Sequence, residues 1–396
     1  MSMRGPVTVE AGVGRSVVSW AFDAEAETLV QAQRTARSPA VSGPVALMAD
    51  AHVGMGATIG SVIPTEAAII PAAVGVDLGC GMTAVRTSHT ASQLPDNLNG
   101  ALEAVAAAVP SGFNAHSEAT MAARDWLRDH RLPNKAAVHN KVKAKMGAQL
   151  GTLGGGNHFV EMSLDADDGV WVVLHSGSRG VGNALAKMHI KAAQKTCQKA
   201  GRELEDRDLA YLIEGDDGFD AYVADMLWAQ DYARANRAQM TEAVLGALAA
   251  ATELDFTPAD TIDCHHNYAE KETHGGAVVW VTRKGAIRAR DGDRGVIPGS
   301  MGDDTYVVTG RGCTESYCSA SHGAGRLMSR TRAKREITPE QLTELMAGRT
   351  WQADQADKLT DEAPGAYRSI AAVMQAQQDL VDIDHRLTAI LNYKGC

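Results

Sequence analysis

The nonapeptide Val74-Gly75-Val76-Asp77-Leu78-Gly79-Cys80-Gly81-Met82 has an apolar start and three glycines, a pattern that argues against a helix and against a surface loop. It places a carboxylate, Asp77, three positions before a thiol, Cys80. Residues 57–73 are interpreted as buried strand and turn, so both side chains are expected at the end of a core strand. A metal ion would satisfy a buried carboxylate and hold Cys80 as a thiolate. A tight turn, with Asp77 capping backbone amides and Cys80 as a small core residue, explains the stretch equally well.

Composition indicates a globular chain with a mostly aliphatic core. The 396 residues are 45% hydrophobic but only 5% aromatic, and this length allows one large domain or two ordinary ones. The opening residues lack the apolar core of a signal peptide, and no apolar run reaches the roughly 18 residues of a membrane span. We therefore expect a cytoplasmic protein that does not act at a membrane.

The cysteines predict neither a disulfide framework nor a zinc ribbon, because they are far apart and form no CxxC pair. Reduced thiols are the simpler expectation. The six cysteines are Cys80, Cys197, Cys264, Cys313, Cys318 and Cys396.

The net charge of -10 argues against non-specific coating of nucleic acid, which depends on an excess of Lys and Arg. A local basic site remains possible, although each basic cluster taken alone is more often a solvated face. The clusters are Lys135, Lys141, Lys143 and Lys145; Arg283, Lys284, Arg288, Arg290 and Arg294; and Arg326, Arg330, Arg332, Lys334 and Arg335.

The order of apolar patterns predicts one interwoven α+β domain over residues 1–396, because candidate site residues are spread along the whole chain. Residues 1–43 are predicted to be irregular, apart from weak strand signals near 16–22, and the region from 45 to 87 to form several strands. Residues 184–251 are predicted to form two or three helices outside a sheet, and 338–396 a helical C-terminal part that closes on a long helix.

Histidines follow apolar strands at His158, His175, His266 and His322, and a single histidine of this kind is more often structural than a ligand. If they converge with the carboxylate and thiol of the first motif, the set suits borderline divalent metals. The number of ligands favours a pair of metals over one. Glycine-rich loops that carry Ser, Arg or His favour phosphate binding, although tight turns explain each loop as well. These loops are 154–156, 176–180, 298–302 and 323–326.

His322 is the strongest candidate for a nucleophile or an acid/base group. It lies among small residues in SASHGAGR, which allow close approach of a substrate, and Arg326 follows four positions later. Cys318 is a rival nucleophile, but no activating base is evident beside it.

Long motifs in this order resemble the RtcB family of GTP-dependent RNA ligases, over most of the chain from about residue 45 to 395. The motifs are GATIGSVIPTEAAIIPAAVGVDLGCGM, LGGGNHFVEM, LHSGSRGVGN, CHHNYAEKETHGG, VTRKGA, PGSMG, SYCSASHGAGR and the terminal YKG. The resemblance implies mixed and antiparallel sheets around a central metal cleft, with helices outside. It also implies the joining of an RNA 3′-phosphate or 2′,3′-cyclic phosphate end to a 5′-hydroxyl end, in tRNA splicing or RNA repair, with GTP, two manganese ions and possibly an accessory activator protein.

By this resemblance, Cys80 bridges the two metals, His158 and His175 complete one site, and Asp77 and His266 complete the other. His322 resembles the histidine that attacks the α-phosphate of GTP and carries a covalent guanylate, and Glu161 and Lys394 are expected on the guanine base. The positions that match the guanylate pocket are Asn157, His158, Phe159, Val160, Glu161, His266, Asn267, Pro298, Gly299, Ser300, Met301, Thr305, His322, Gly323, Ala324, Gly325 and Lys394.

Two other functions stay open at this point. One is a dinuclear metal phosphoesterase that acts on cyclic or terminal phosphates without guanylation, with His322 as its acid/base group. The other is a weakly active paralogue that binds RNA ends, suggested by Met55 and Glu66, where the family often has Lys.

Overall fold

The computed structural model describes residues 5–12 and 14–395, and Cys396 therefore lies outside the described residues. The strands are β1 (Val7–Gly12), β2 (Arg15–Ser19), β3 (Val45–His52), β4 (Ile59–Thr65), β5 (Ala68–Ile69), β6 (Gly81–Thr90), β7 (Phe159–Leu164), β8 (Gly169–Ser176), β9 (Leu212–Ile213), β10 (Pro258–His265), β11 (Asn267–His274), β12 (Ala277–Lys284), β13 (Ala286–Arg288), β14 (Arg294–Pro298), β15 (Thr305–Gly310), β16 (Ser319–Ser321), β17 (Thr350–Trp351) and β18 (Val381–Lys394). The helices are α1 (Ala26–Ala36), α2 (Pro71–Val74), α3 (Asn99–Ala108), α4 (Met121–Asp129), α5 (Asn140–Gln149), α6 (Arg179–Lys199), α7 (Phe219–Thr252), α8 (Arg330–Glu336), α9 (Pro339–Leu345), α10 (Ala356–Leu359) and α11 (Ile370–Ala376).

The mixture of helices and mostly antiparallel sheets confirms the predicted α+β class. One sheet has the order β1-β2-β3-β4-β12-β11, and the larger one runs β10-β6-β8-β7-β18-β15-β14, with β17 beside β18. The two ends of the larger sheet approach each other, and Arg294 on β14 pairs with Asp260 on β10 at 2.6 Å. The larger sheet is therefore nearly closed into a barrel.

The interior of this barrel is filled by apolar side chains from every strand that forms it. Because neighbouring residues on a strand point to opposite faces, only alternate positions contribute. The interior cluster consists of Met82, Ala84, Phe159, Trp171, Val173, Ile262, Val296, Val307 and Leu387. The opposite face of the sheet packs against α3 and α7 through a separate apolar cluster. The barrel is thus a packed core, and a site can form only at its rim.

Helices α6 and α7 occupy the predicted helical region from 184 to 251; α7 packs against β6 and β8, and α6 packs mainly against α2, α5 and α7. The strands between 45 and 87 are confirmed as β3 to β6, interrupted by the short helix α2. Thr338 caps α9 through its side chain and Pro339 is its first residue, as the sequence predicts.

Two predicted segments differ from the structure. The prediction that residues 1–43 are irregular is wrong for the described part, because β1, β2 and α1 form there. The prediction that the chain closes on a long helix is also wrong, because residues 381–394 form β18. Leu387, Ala389, Leu391 and Tyr393 are its buried alternate residues, and β7 and β15 supply hydrogen bonds on its two sides. Each half of this 14-residue strand has a paired neighbour, residues 381–387 with β15 and residues 388–394 with β7.

Candidate active site

The residues suited to metal binding lie at one rim of the barrel. Adjacent strands are antiparallel, so the start of β6 and β7 and the end of β8, β10 and β18 lie at the same rim. Cys80 precedes β6, His158 precedes β7, His175 is near the end of β8, and His266 follows β10. The prediction that these strand-end side chains converge is therefore confirmed for the metal-type ligands.

Asp77 and Cys80 lie in the loop between α2 and β6, at the start of a core strand instead of at the end of one. The Cys80 amide donates to the Asp77 carbonyl at 3.1 Å, so the alternative of a tight turn is partly correct. The side chains nevertheless face the histidines. Gly177 makes room for Asp77, because a Cβ at that position would lie 2.2 Å from its Oδ1 atom.

Cys80 is the shared member of two triads whose ligand atoms lie within 4.8 Å of one another: Asp77, Cys80 and His158; and Cys80, His175 and His266. The Cys80 Sγ atom lies 3.3 Å from His158 Nε2 and 3.2 Å from His175 Nε2. His158 Nε2 lies 3.1 Å from Asp77 Oδ2. The geometry corrects the expected pairing, because His158 groups with Asp77, and His175 with His266.

The imidazoles of His158 and His175 each direct one ring nitrogen toward Cys80. Nδ1 of His158 lies 2.9 Å from the Leu153 carbonyl, and Nδ1 of His175 lies 3.2 Å from the Asn157 carbonyl. A carbonyl partner places the proton on Nδ1 and leaves the lone pair of Nε2 free for a metal. The free Nε2 atoms point toward Cys80.

The second triad contains an arrangement that a cation would resolve. His175 Nε2 lies 3.3 Å from His266 Nε2, and the buried Nδ1 of His266 has no hydrogen-bond partner. With the proton of each ring on Nδ1 the two Nε2 lone pairs would face each other and repel, whereas with the His266 proton on Nε2 that nitrogen would donate to His175. A divalent ion between these nitrogens and the Cys80 sulfur would remove the repulsion. Thiolate, imidazole and carboxylate ligands fit a borderline metal.

Burial favours the neutral forms of Cys80, His175 and His266. It raises the pKa of the Cys80 thiol well above its ordinary value, and the Asp77 charge adds to this effect. Burial also lowers the pKa of His175 and His266 well below their ordinary values. For Asp77, burial alone would raise the pKa, but contact with His158 outweighs it and the pKa is lowered. Neutral imidazoles and an ionised carboxylate are the forms that bind a metal.

A buried arginine holds the loops that carry the ligands. The fully buried Arg237 forms two 2.7 Å contacts with the Asp263 carboxylate. Its Nη1 atom donates to the carbonyls of Gly79 at 3.0 Å and Ser176 at 3.3 Å. These carbonyls immediately precede Cys80 and follow His175, so Arg237 fixes the backbone on both sides of the second triad.

His322 follows β16 and adjoins the metal-type ligands. Its ring centroid lies 4.9 Å from that of His266, which continues the row formed by His175 and His158. Nδ1 of His322 lies 2.7 Å from Oδ2 of Asp50, and the Asp50 side chain is fully buried on β3. The contact with Asp50 leaves Nε2 of His322 free, as a nucleophile or proton-transfer group requires.

His322 opens into a cavity of about 390 Å³. The predicted residues that line the cavity are Asp77, Cys80, Asn157, Phe159, His175, His266, Asn267, Pro298, Gly299, Ser300, His322, Gly323, Ala324, Gly325 and Lys394. The predicted residues that are absent from its lining are His158, Val160, Glu161, Met301 and Thr305. Two of the four loops singled out for phosphate, 298–302 and 323–326, therefore contribute to the cavity beside His322, whereas the loops 154–156 and 176–180 do not line it.

Of the two residues expected on a base, Lys394 lines the cavity and Glu161 lies behind its lining. Lys394 Nζ lies 3.0 Å from Glu362 Oε2 and stands over the Phe159 ring at 5.1 Å. Glu161 lies behind the lining, where it accepts a hydrogen bond from Asn392 at 2.6 Å and lies 3.5 Å from the Thr305 hydroxyl. Burial raises the pKa of Glu161 to about 7.

Sequence reasoning assigned no role to several residues in or beside the cavity. Asp50 and His52 end the apolar run of β3, which was a usable signal, but nothing local pairs Asp50 with a histidine 272 positions away. The buried Lys284 also lines the cavity and donates to the Ala72 carbonyl at 3.0 Å, and burial lowers its pKa to about 8. Arg330, which the sequence marks only as part of a basic cluster, and Tyr367 also line the cavity.

The rival candidates lie elsewhere. Cys318 is absent from the cavity lining, and the buried Arg283 of the second basic cluster is paired with Glu272 at 2.5 Å. Met55 lines the cavity, whereas Glu66 is exposed outside it.

In the described part of the chain, no helix has both the length and the apolar character needed to cross a membrane.

Comparison with known proteins gives a consistent family match. The family model described as "tRNA-splicing ligase RtcB" matches residues 31–395. The chain is 44% identical to the RNA-splicing ligase RtcB of Escherichia coli K12, over 94% of this chain and 95% of that protein. It is 30% identical to the tRNA-splicing ligase RtcB of Thermococcus kodakarensis, over 88% and 86% of the two chains. The RNA-splicing ligase RtcB of Mycobacterium tuberculosis is 29% identical, over 88% and 95%.

Proposed function

Because the chain belongs to the RtcB family of RNA-splicing ligases, we propose that it joins RNA ends bearing a 3′-phosphate or 2′,3′-cyclic phosphate to 5′-hydroxyl ends. The observation that carries the proposal is the position of His322, which faces a cavity beside two Cys80-sharing triads while its Nδ1 lies 2.7 Å from buried Asp50. A phosphoesterase with His322 as its acid/base group would need the same placement, so labelling with GTP and RNA joining separate the two functions.

The first step is guanylation of His322. Its Nε2 lone pair attacks the α-phosphorus of GTP, an N–P bond forms, and the bond to the leaving pyrophosphate breaks. The imidazole becomes positively charged in this step. The adjacent carboxylate of Asp50 stabilises that charge because the pair is removed from water.

The two triads would hold the proposed pair of manganese ions, with Cys80 as the shared ligand. Bound there, divalent ions supply Lewis-acid stabilisation of charge on the phosphate oxygens. The protein contributes the ligand geometry, the free Nε2 atoms and the backbone held by Arg237. The choice of manganese rests on the family resemblance, because the ligand types alone also suit zinc.

The later steps transfer the guanylate and seal the RNA. An oxygen of the RNA 3′-phosphate attacks the phosphorus of the His322 guanylate, the N–P bond breaks, and the 3′ end carries an activated diphosphate linkage to GMP. The 5′-hydroxyl oxygen then attacks the RNA phosphorus, its proton is released, and GMP leaves as the phosphodiester forms. A cyclic phosphate is opened first by water to a 3′-phosphate.

The guanylate pocket is proposed from the cavity lining and the residues behind it. Asn157, Asn267 and the loop 298–300 would contact the nucleotide beside His322, and Lys394 would reach the base. Glu161 would contribute to base recognition after a small rearrangement, because it lies behind the lining. A cytoplasmic location and stimulation by an accessory protein belong to the same proposal.

The test of guanylation uses α-labelled GTP and manganese, followed by denaturing gel electrophoresis. We expect an acid-labile, base-stable label on the wild-type chain and on His130→Ala, which removes an exposed imidazole at the end of α4. His322→Ala should take up no label. A label that survives in His322→Ala would refute the assignment of the nucleophile.

A second assay separates a ligase from a phosphoesterase. The purified chain is incubated with a cyclic-phosphate RNA, a 5′-hydroxyl RNA and GTP, and the products are sized. Joined RNA that requires GTP supports the proposal. Opening of the cyclic phosphate without joining, at a rate independent of GTP, would favour the phosphoesterase.

A further inference from the structure

A second concave surface adjoins the cavity, and we call it the Phe113 groove. Its volume is about 710 Å³, and its lining includes Phe113, Arg179, Arg330, Lys334 and Lys358. Arg330 also lines the cavity that contains His322. The two spaces are therefore neighbours that share a wall.

Phe113 is presented by a hydrogen-bonded turn. The Asn114 amide donates to the Ser111 carbonyl at 3.1 Å, and Gly112 has a φ of +65°. The Gly112 amide donates to the Gly154 carbonyl at 2.7 Å, which anchors the turn to the first glycine-rich loop. The Phe113 side chain has a relative exposure of 104%, so it contributes nothing to the core. Single exposed apolar residues are common, but this one stands at the edge of a cationic groove.

The groove carries cations that acidic side chains do not fully compensate. Arg330 and Lys334 both pair with Asp361, at 2.7 Å and 3.4 Å. Within residues 5–12 and 14–395, neither Arg179 nor Lys358 forms an ion pair. Arg179 instead donates to neutral oxygens, the Thr152 hydroxyl at 2.8 Å and the Gly112 carbonyl at 2.9 Å. This part of a strongly acidic protein is suited to a polyanion.

The floor of the groove reaches the metal-type ligands. It is formed by Gly155 and Gly156 of the first glycine-rich loop. A Cβ at Gly154 would lie 2.4 Å from Arg179 Nη1 and 2.5 Å from His158 Nδ1. Both atoms therefore border the space that a side chain at position 154 would fill, which places the Arg179 guanidinium close to the His158 ring.

We propose that the Phe113 groove binds the single-stranded RNA segment next to the end being joined, with Phe113 stacking on a base and Arg179 and Lys358 contacting the phosphate backbone. Cationic grooves with exposed aromatic rings are the usual surface for single-stranded nucleic acid, because every base has a face on which a ring can stack. The proposal rests on the ligase function proposed above and names the path by which the substrate approaches the site.

The test measures the affinity of the full chain for a fluorescent single-stranded RNA of about ten nucleotides. Phe113→Ala should weaken binding about five- to a hundredfold, the range found for loss of one stacked base. Phe113→Trp should retain affinity, whereas Phe113→Leu should not, because it keeps an apolar surface but lacks a ring. Met121→Ala, which removes an apolar side chain that is 80% exposed outside the groove lining, should bind as the wild type does.

The charge contribution is tested through salt dependence. Lys358→Ala should reduce the slope of log affinity against log salt by about 0.7, the value for one phosphate contact on a single strand. Lys195→Ala, on the exposed face of α6, should leave the slope unchanged.

Two RNAs identify the strand in the groove. One has a 3′-phosphate and a blocked 5′ end, and the other has a 5′-hydroxyl and a blocked 3′ end. Weaker binding of either RNA to Phe113→Ala supports the proposal.

Labelling with GTP separates this proposal from the proposed function. All groove variants should take up label on His322 at the wild-type rate. Normal labelling with RNA affinity unaffected by Phe113→Ala and Lys358→Ala would overturn the groove proposal alone, and would point to a protein partner as the groove's occupant. Absence of label from the wild type, with RNA binding still sensitive to Phe113, would overturn the guanylation and leave the groove assignment standing.

Discussion

His322 Nδ1 lies 2.7 Å from Oδ2 of Asp50, a carboxylate with no exposed surface at the end of a core strand. Asp50 Oδ2 also accepts a hydrogen bond from the His322 backbone amide at 3.2 Å. Nδ1 of His322 contacts the carboxylate closely but without hydrogen-bond alignment, and the backbone hydrogen bond holds the histidine in place, so that Nε2 is the nitrogen left for the cavity.

We expect Asp50→Asn to slow guanylation of His322 by about a hundredfold, within the range for loss of a group that assists a catalytic imidazole. The amide has nearly the same size, but it carries no charge to stabilise the imidazolium that forms. The measurement is the initial rate of labelling with α-labelled GTP. Asp217→Asn, at an exposed position, is the control and should label normally. An unchanged rate for Asp50→Asn would show that the contact has no role in guanylation.

Removal of single ligands should separate the two metal sites. Because only Cys80 belongs to both triads, Cys80→Ala should lose both manganese ions, whereas Asp77→Ala and His266→Ala should each keep one. Metal content per chain, measured after gel filtration, distinguishes these results. The partly buried Cys313 lies in neither triad, and Cys313→Ala should keep both ions. Full metal content in Cys80→Ala would contradict the shared ligand.

Arg237→Ala should lower stability by about 2–3 kcal/mol, less than the loss of a fully buried ion pair, because the Asp263 side chain keeps 26% of its surface exposed. It should also weaken metal binding by about 10- to 100-fold, because it frees the carbonyls that flank Cys80 and His175. Chemical denaturation and metal titration measure the two effects.

Arg234→Ala is the matched control for this prediction. Arg234 lies on the same helix, and its Nε atom is 3.9 Å from Oδ1 of Asp263. The Arg234 side chain is 59% exposed. Its loss should cost less than about 1 kcal/mol and leave metal affinity unchanged. Equal effects of the two substitutions would remove the special role of Arg237.

Glu161 should make stability depend on pH. Burial raises its pKa in the folded state to about 7, above the ordinary value of 4.5. Below pH 4.5 the carboxyl is protonated in both states and costs nothing; between pH 4.5 and 7 it ionises in the unfolded state but stays protonated in the folded state, and the accumulated cost reaches roughly 3 kcal/mol above pH 7. Glu161→Gln should therefore gain stability relative to the wild type between pH 5 and pH 8. A difference in unfolding free energy that is the same at both pH values would contradict this assignment.

Sequence reasoning predicted the metal-type ligands because each lies directly beside a recognisable strand. Cys80, His158, His175 and His266 adjoin strands that are hydrogen-bonded neighbours, so their convergence followed from antiparallel pairing. The pairing of ligands within each triad was not predictable, because it depends on side-chain directions that motif order does not encode.

The contact between Asp50 and His322 could not be predicted in the same way. The two residues lie on β3 and after β16, in different sheets, and no local pattern relates them. The β18 strand was missed for a related reason. Its first half is mostly exposed and its buried residues alternate only from Leu387 onward, so its conformation is decided by β7 and β15 on either side.

The central claim is that Asp77, Cys80, the three ligand histidines and His322 form one reaction centre. The most direct test is a crystal structure of the chain with manganese and GTP, in which anomalous scattering locates the metals. We predict two peaks that share the Cys80 sulfur, one also at Asp77 and His158 and the other at His175 and His266, with continuous density from His322 Nε2 to a phosphorus atom. Metals bound away from Cys80, or GTP bound with no link to His322, would contradict the account.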